Sequence, residues 1–352
     1  MIKPFSSMLI LFPVLGMAAT AASNCEKSWP IFERTFQQVL LRDSSNRKTT
    51  RWHSLSSGKF DSTEGYLAFE AGNFGSLEVS QELLAGHSNG YVTTARRFGS
   101  RYDDYIVKYF LGESYKVGST DDDVFERKSD PLVGEYVFSQ VLRGIGLVPA
   151  IRWISRRLPL QPREILKMGM PLTLHAIHKL IACNSSFTRT IVEERVGLSL
   201  DVYFDSEEPS ARFALNLVYL LSESIRLLSR LYAFGIVHGD GSFRNIAFAS
   251  SDVSGPLVLI DLEDAVFVCD SPTHFLSEYQ LKGNSVFGLP KGLRCDLSNL
   301  LGEAAIVAEN KGFNKLYPHL YILADTVENP SVPVQHILDT LYNISEKLQQ
   351  NQ

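Results

Sequence analysis

Polar and apolar positions change period several times along the chain. Trp29, Phe32, Phe36, Val39 and Leu40 recur at helical spacing and predict an amphipathic helix. The polar, Ser-rich stretch 42–62 that follows reads as loop or linker. From Ser76 the period becomes two. Residues 77–80 and 90–96 alternate as antiparallel strands joined by a turn at 86–90, and residues 105–110 supply a third strand. An acidic loop at 121–123 leads to a helical stretch over 131–143, and residues 191–194 form another short strand. The strongest predicted helix covers 211–234, where Phe213, Leu217, Leu220, Leu221, Leu227, Leu228 and Leu231 fill one broad face. A polar loop, a strand over 257–260 and C-terminal helices complete the order. A strand-rich half followed by a helix-rich half predicts an α+β fold.

Composition narrows this picture. The 352 residues suffice for one large two-lobed domain or two ordinary ones, and 45% hydrophobic with 21% charged residues is the balance of a globular protein. A net charge of −5 supplies no global basic field, so nucleic acid is not an expected partner. Lys3 precedes a short apolar run over 8–17, and small residues follow over 18–23. That order predicts a secretory signal peptide cleaved near Ala21 or Ala22, since the run is shorter than the roughly 20 residues of a membrane span. Cys25, Cys183, Cys269 and Cys295 permit two disulfides in an oxidising compartment, with the pairing open. Asn184 and Asn343 begin glycosylation sequons. The helix at the mature N-terminus packs on its own domain or makes a peripheral membrane contact.

The chemistry concentrates in His238-Gly239-Asp240-Gly241-Ser242-Phe243-Arg244-Asn245, directly after the long helix, and in Asp261, sixteen residues beyond Asn245 at the end of an apolar strand. Phosphoryl transfer needs a carboxylate to orient the acceptor hydroxyl and oxygen ligands for Mg²⁺. Asp240 suits the first task; Asn245 and Asp261 suit the second. Upstream, Lys108 sits inside an apolar strand, where an unpaired ammonium is costly, so it requires an acidic partner. Glu135 and Glu126 are the candidates.

This arrangement resembles the protein-kinase superfamily, with its His-x-Asp-x-x-x-x-Asn catalytic loop and the metal-binding Asp beyond it. The resemblance covers about residues 76–345 and implies a two-lobed fold with a β-rich N-lobe and a helical C-lobe. It favours Glu135 as the partner of Lys108. It implies a hinge in which the backbone of Glu194 and Val196 binds adenine. It also implies that Asp296, with Gly302 near the start of the same helix, anchors the catalytic loop from below.

Several positions depart from the family pattern. Only Gly90 and Val92 hold position in the glycine loop, read here as Ala85-Gly86-His87-Ser88-Asn89-Gly90-Tyr91-Val92. Ser242 stands where the family has a Lys, and Arg244 lies in the same loop as a candidate to compensate for it. Asp261-Leu262-Glu263 replaces Asp-Phe-Gly, and Gly288-Leu289-Pro290 is the nearest match to Ala-Pro-Glu. Together with the signal peptide, these features are similar to the secreted rhoptry kinases and pseudokinases of apicomplexan parasites.

The division implied is a signal peptide over 1–22, an N-terminal extension with the amphipathic helix over 23–75 and a kinase-like domain over 76–350. The resemblance implies a secreted or rhoptry-like protein, delivered to a host cell or vacuole, that transfers the γ-phosphate of ATP to Ser or Thr of a protein substrate with Mg²⁺. Asp240, Lys108 and Glu135 would serve catalysis. Lys108, Gly90, Val92, Glu194 and Val196 would hold ATP, and Asn245 and Asp261 would hold the metal. A pseudokinase that binds a protein partner, and a small-molecule or glycan kinase, are the alternatives. No transmembrane span is expected.

Overall fold

Alternation in the first half of the chain produces an antiparallel sheet, and helical stripes in the second half produce a helical layer. In a computed structural model the described residues are 66–70, 75–87, 90–110, 135, 138, 139, 142, 145–154, 189–262, 265–267, 292–329 and 331–350. The expected signal peptide, amphipathic helix and acidic loop lie outside them. So do Glu126, Glu263, the Gly288-Leu289-Pro290 segment, and Cys25, Cys183 and Cys269.

Six strands make the main sheet: β1 (Tyr66–Glu70), β2 (Ser76–His87), β3 (Gly90–Arg97), β4 (Tyr105–Phe110), β5 (Ile151–Ile154) and β6 (Arg189–Glu194). Their spatial order is β1-β2-β3-β4-β6-β5, with every neighbouring pair antiparallel. The three strands expected around residues 77–110 are present. The sheet, however, begins earlier than expected: β1 lies within the stretch assigned to the extension and pairs with β2 from Tyr66 opposite Ser80 to Glu70 opposite Ser76. The central strands β4 and β6 are covered on both faces, so Ile106, Val107, Ile191 and Val192 are all buried.

Helices α1 (Leu200–Ser206) and α2 (Ala211–Ala233) follow β6. The Ser210 side chain caps α2 by accepting from the Phe213 N–H at 3.0 Å. Phe213, Leu217, Leu221, Ile225, Leu228 and Leu231 recur at helical spacing and bury one face of it. The helix ends where Gly235 takes φ +74° and donates to the Tyr232 carbonyl at 2.8 Å, a conformation that costs glycine little. Two small antiparallel pairs come next. One joins β7 (Ile236–Val237) to β10 (Val266–Phe267); the other joins β8 (Ile246–Phe248) to β9 (Leu257–Leu259). Helices α3 (Leu293–Asn310), α4 (Tyr317–Glu328) and α5 (Val334–Gln350) complete the chain. Among the described residues, no helix is long and apolar enough to cross a membrane. The molecule is therefore a mixed α+β protein with an antiparallel sheet and a helical portion.

The helical core positions the loop that carries Asp240. Phe204 of α1 is fully buried, with its ring 5.5–5.8 Å from Tyr203 and Phe213 in edge contacts and 5.0 Å from Phe243. Phe243 lies in a one-turn 3-10 helix, Phe243–Asn245, so the packing that fixes its ring also fixes the backbone between Asp240 and Asn245. Truncating Phe204 to alanine is expected to cost about 3–5 kcal/mol through lost transfer energy and the cavity left behind. A fall in the denaturant midpoint would record that loss.

Candidate active site

Strand register decides which side chains meet above the sheet. Val92, Lys108 and Ile191 stand opposite one another on β3, β4 and β6, and strand alternation adds Ile106 and Glu193 to the same face. Lys108 is buried, and its Nζ donates to Glu135 Oε1 at 2.9 Å. Glu135, the partner that the family resemblance favoured, thus meets the lysine, while Glu126 lies outside the described residues. Residues 135, 138 and 139 are helical, within the stretch where a helix was expected.

A second carboxylate, absent from the sequence reading, meets the same lysine. Glu193 Oε1 lies 3.3 Å from Lys108 Nζ, and Glu193 is only 3% exposed. The signal was available as a Glu inside an apolar strand, but only the β4–β6 register turns it toward Lys108. Burial alone would lower the lysine's pKa; Glu135 and Glu193, with Asp261 beyond them, outweigh it and hold the ammonium charged. Glu193 responds the other way, because burial pushes its carboxyl from near 4.5 up to about 7 despite Lys108. Its Oε2 is buried without a partner among the described residues.

Glu135 also reaches across the molecule, because its Oε2 accepts the Leu262 N–H. That bond ties Lys108 to the segment carrying Asp261. Asp261 has φ +62°, the one left-handed non-glycine residue among those described, and such strain persists only where its surroundings enforce it. The neighbouring Ile260 N–H donates to the Asn245 carbonyl at 2.9 Å, and Ile246 pairs with Leu259. Asn245 and Asp261 are thus joined through one hairpin.

The Asp240 loop hangs from α3. Asp296 Oδ2 accepts the His238 N–H at 3.1 Å and the Gly239 N–H at 3.3 Å, and its Oδ1 accepts the Gly241 N–H at 3.2 Å. Burial still raises the Asp296 carboxyl above its ordinary range, against these bonds and the nearby His238. Two glycines are required at this junction. Gly239 sits at φ +82°, and a β-carbon on Gly241 would come within 2.5 Å of the Asp296 Cβ. The His238 ring is fully buried and its Nε2 lies 3.0 Å from the Ile260 carbonyl, so that nitrogen carries the proton. Glu303, which sequence reasoning missed, accepts the Phe243 N–H at 2.6 Å from the same helix. Gly302 lies in the middle of α3 rather than near its start, and no atom would crowd a β-carbon there.

Within the loop, Arg244 Nη2 donates to Asp240 Oδ2 at 2.7 Å, and Asn245 Nδ2 donates to the same oxygen and to the Asp240 carbonyl, each at 2.9 Å. Burial would raise the Asp240 carboxyl; Arg244, Asn245 and His238 together hold it below its ordinary value. The amide nitrogen of Asn245 is spent on Asp240, and its Oδ1 has no partner among the described residues. Ser242 is buried with its hydroxyl unpartnered among the described residues, so this position provides no cation.

The expected nucleotide contacts are mixed. Val92 is buried opposite Lys108, and Gly90 opens β3 opposite Phe110; residues 88 and 89 lie outside the described set. The Glu194 N–H is already committed to the Ala150 carbonyl at 3.0 Å, and its carboxylate pairs with Arg152, so its N–H is not open to a base. Val196 lies in an extended segment between Arg195, whose N–H reaches the Asp104 carbonyl, and Gly197, whose N–H reaches the Phe248 carbonyl. Its own peptide makes no hydrogen bond among the described residues.

The donor set fits Mg²⁺ held by few protein ligands. That ion keeps several waters and takes substrate phosphates alongside one or two protein oxygens, which Asp261 and Asn245 Oδ1 can supply. Among the described residues, no group of three or more His, Cys, Asp or Glu side chains forms a closed metal cage. No protein-family model matches the chain, and no curated protein matches it in sequence.

Proposed function

We propose that this chain is an ATP- and Mg²⁺-dependent kinase of the two-lobed protein-kinase type. It transfers the γ-phosphoryl group to a Ser or Thr hydroxyl of a protein. The observation that carries this reading is the linkage of Lys108 through Glu135 to the Leu262 N–H, which brings together groups 27 and 127 residues apart. Lys108 would hold the phosphates, while Val196 and the Glu194 carbonyl would meet the adenine edge. Mg²⁺ on Asp261 and Asn245 would offset the charge of the transferring group. Asp240, ionised at neutral pH, orients the acceptor hydroxyl and takes its proton. Arg244 supplies the cation that Ser242 does not. The apolar run over 8–17 supports a secreted protein, and the rhoptry-like destination and effector role rest on the resemblance alone.

A second reading, a pseudokinase that binds a partner without chemistry, is favoured by one feature. Lys108 is shared by two buried carboxylates, which leaves less of its charge for phosphates.

Thermal unfolding with ATP tests the nucleotide site. With Mg²⁺ and ATP at about 100 times the dissociation constant, the native state gains about 2.7 kcal/mol, which raises the unfolding midpoint. Asp261→Ala is expected to lose the Mg²⁺-dependent part of that rise. No rise in the parent at millimolar ATP with Mg²⁺ would reject the proposal.

A further inference from the structure

A carboxylate that merely braced Lys108 would have both oxygens satisfied, and Glu193 does not. Its Oε1 shares Lys108 with Glu135, while its Oε2 is buried and unpartnered among the described residues. An ammonium has three donors, and among the described residues two face carboxylates, which leaves one N–H for an incoming ligand. Charge is also out of balance. The charged groups acting on Glu193 are Lys108 from β4, Glu135 from the segment before β5 and Asp261 after β9. With every one ionised, one cation faces three anions. A nucleoside triphosphate entering this site brings further negative charge to the lysine that has least to spare.

We propose that Glu193 is a selectivity-determining positioning residue: by sharing Lys108 with Glu135, it makes this site accept a nucleoside triphosphate only as its divalent-metal complex. The inference rests on the kinase reading above, because it presumes that phosphates approach Lys108. At pH 8, where a carboxyl raised to about 7 is mostly ionised, removing that charge within a few ångströms of the phosphates, in partly buried surroundings, changes affinity by about tenfold or more. Glu193→Gln keeps an oxygen for Lys108 and removes that charge. It also abolishes a buried ionisation whose cost builds up as pH rises toward 7. A carboxyl whose folded pKa exceeds its unfolded one loses stability as pH rises between them, so the Gln variant gains on the parent as pH rises from about 4.5 to 7, and the gain levels off above.

The experiment titrates the full chain with ATP in excess Mg²⁺ and with ATP in chelator, following the unfolding midpoint of the parent, Glu193→Gln and Glu193→Leu. The leucine variant replaces a buried charge with apolar volume, a change such sites often tolerate, and covers any failure of the glutamine variant to fold. The expected result is a parent that responds to ATP only with metal. The variants should respond to metal-free ATP at about a tenth of the concentration the parent needs. Equal metal dependence in parent and variants, with nucleotide clearly bound, overturns this inference and leaves the kinase reading standing. Folded parent and variants that all ignore ATP, with and without metal, overturn both.

Discussion

Replacing Lys108 by alanine is expected to cost about 3–5 kcal/mol of folding stability, because two buried carboxylates lose their shared cation. This ammonium neutralises a buried cluster, whatever its part in the proposed phosphate site. The pH dependence gives the sign. Glu193 already has its carboxyl raised to about 7 with Lys108 present, and removing the cation raises it further. Raised carboxyl values mean that the folded variant binds protons more tightly than its unfolded chain. Its stability therefore falls as pH climbs and recovers as pH drops through 7 toward 6. Chemical denaturation of Lys108→Ala at pH 6 and pH 8 should show the larger deficit at pH 8. A deficit that ignores pH, or one under about 1 kcal/mol, would mean that the carboxylates are not held by the lysine. Adding Glu193→Gln to Lys108→Ala should return part of the lost stability, since the two positions are in contact and their effects do not add.

Asp240→Asn is expected to lower phosphoryl transfer by about 10²–10⁴-fold, the contribution typical of a positioned general base. Stability should move by less than about 1 kcal/mol, because the side chain is partly exposed and its ion pair with Arg244 is screened by water. The asparagine can still meet Arg244 and Asn245, so the loop geometry set by Asp296 and Phe243 is retained. A carboxyl held below its ordinary value stays ionised well into mild acid, so at pH 7 it is in the form that can orient a hydroxyl. A loss of transfer accompanied by unfolding would instead place Asp240 among the structural groups.

What could be read from the chain depended on the range of the interactions. The strand Tyr105–Phe110 and the helix from Ala211 follow local periodicity and stand close to where the residue pattern put them. The Asp240 and Asn245 spacing was visible because both lie in one short loop. Strand β1 was not visible: Tyr66, Leu67, Ala68 and Phe69 carry no clear period, and only pairing with β2 makes them a strand. Glu193 escaped for a similar reason, since its meeting with Lys108 depends on cross-strand register rather than on sequence neighbours. The conformation of Asp261 was equally hidden. A left-handed aspartate cannot be inferred from its neighbours when the bond from Leu262 to Glu135 spans 127 positions. At Glu194 the resemblance pointed to a backbone contact without saying which group; strand pairing gives its N–H to the Ala150 carbonyl and leaves only the carbonyl for that expectation.

Transfer of labelled γ-phosphate from ATP with Mg²⁺, compared between the parent and Asp240→Asn with both confirmed as folded, tests whether this site performs chemistry. Incorporation into protein by the parent, falling by about 10²-fold or more in the variant, is the expected result. Equal incorporation by the two proteins, or none by a parent that binds ATP and Mg²⁺, would contradict it and leave a nucleotide-binding pseudokinase.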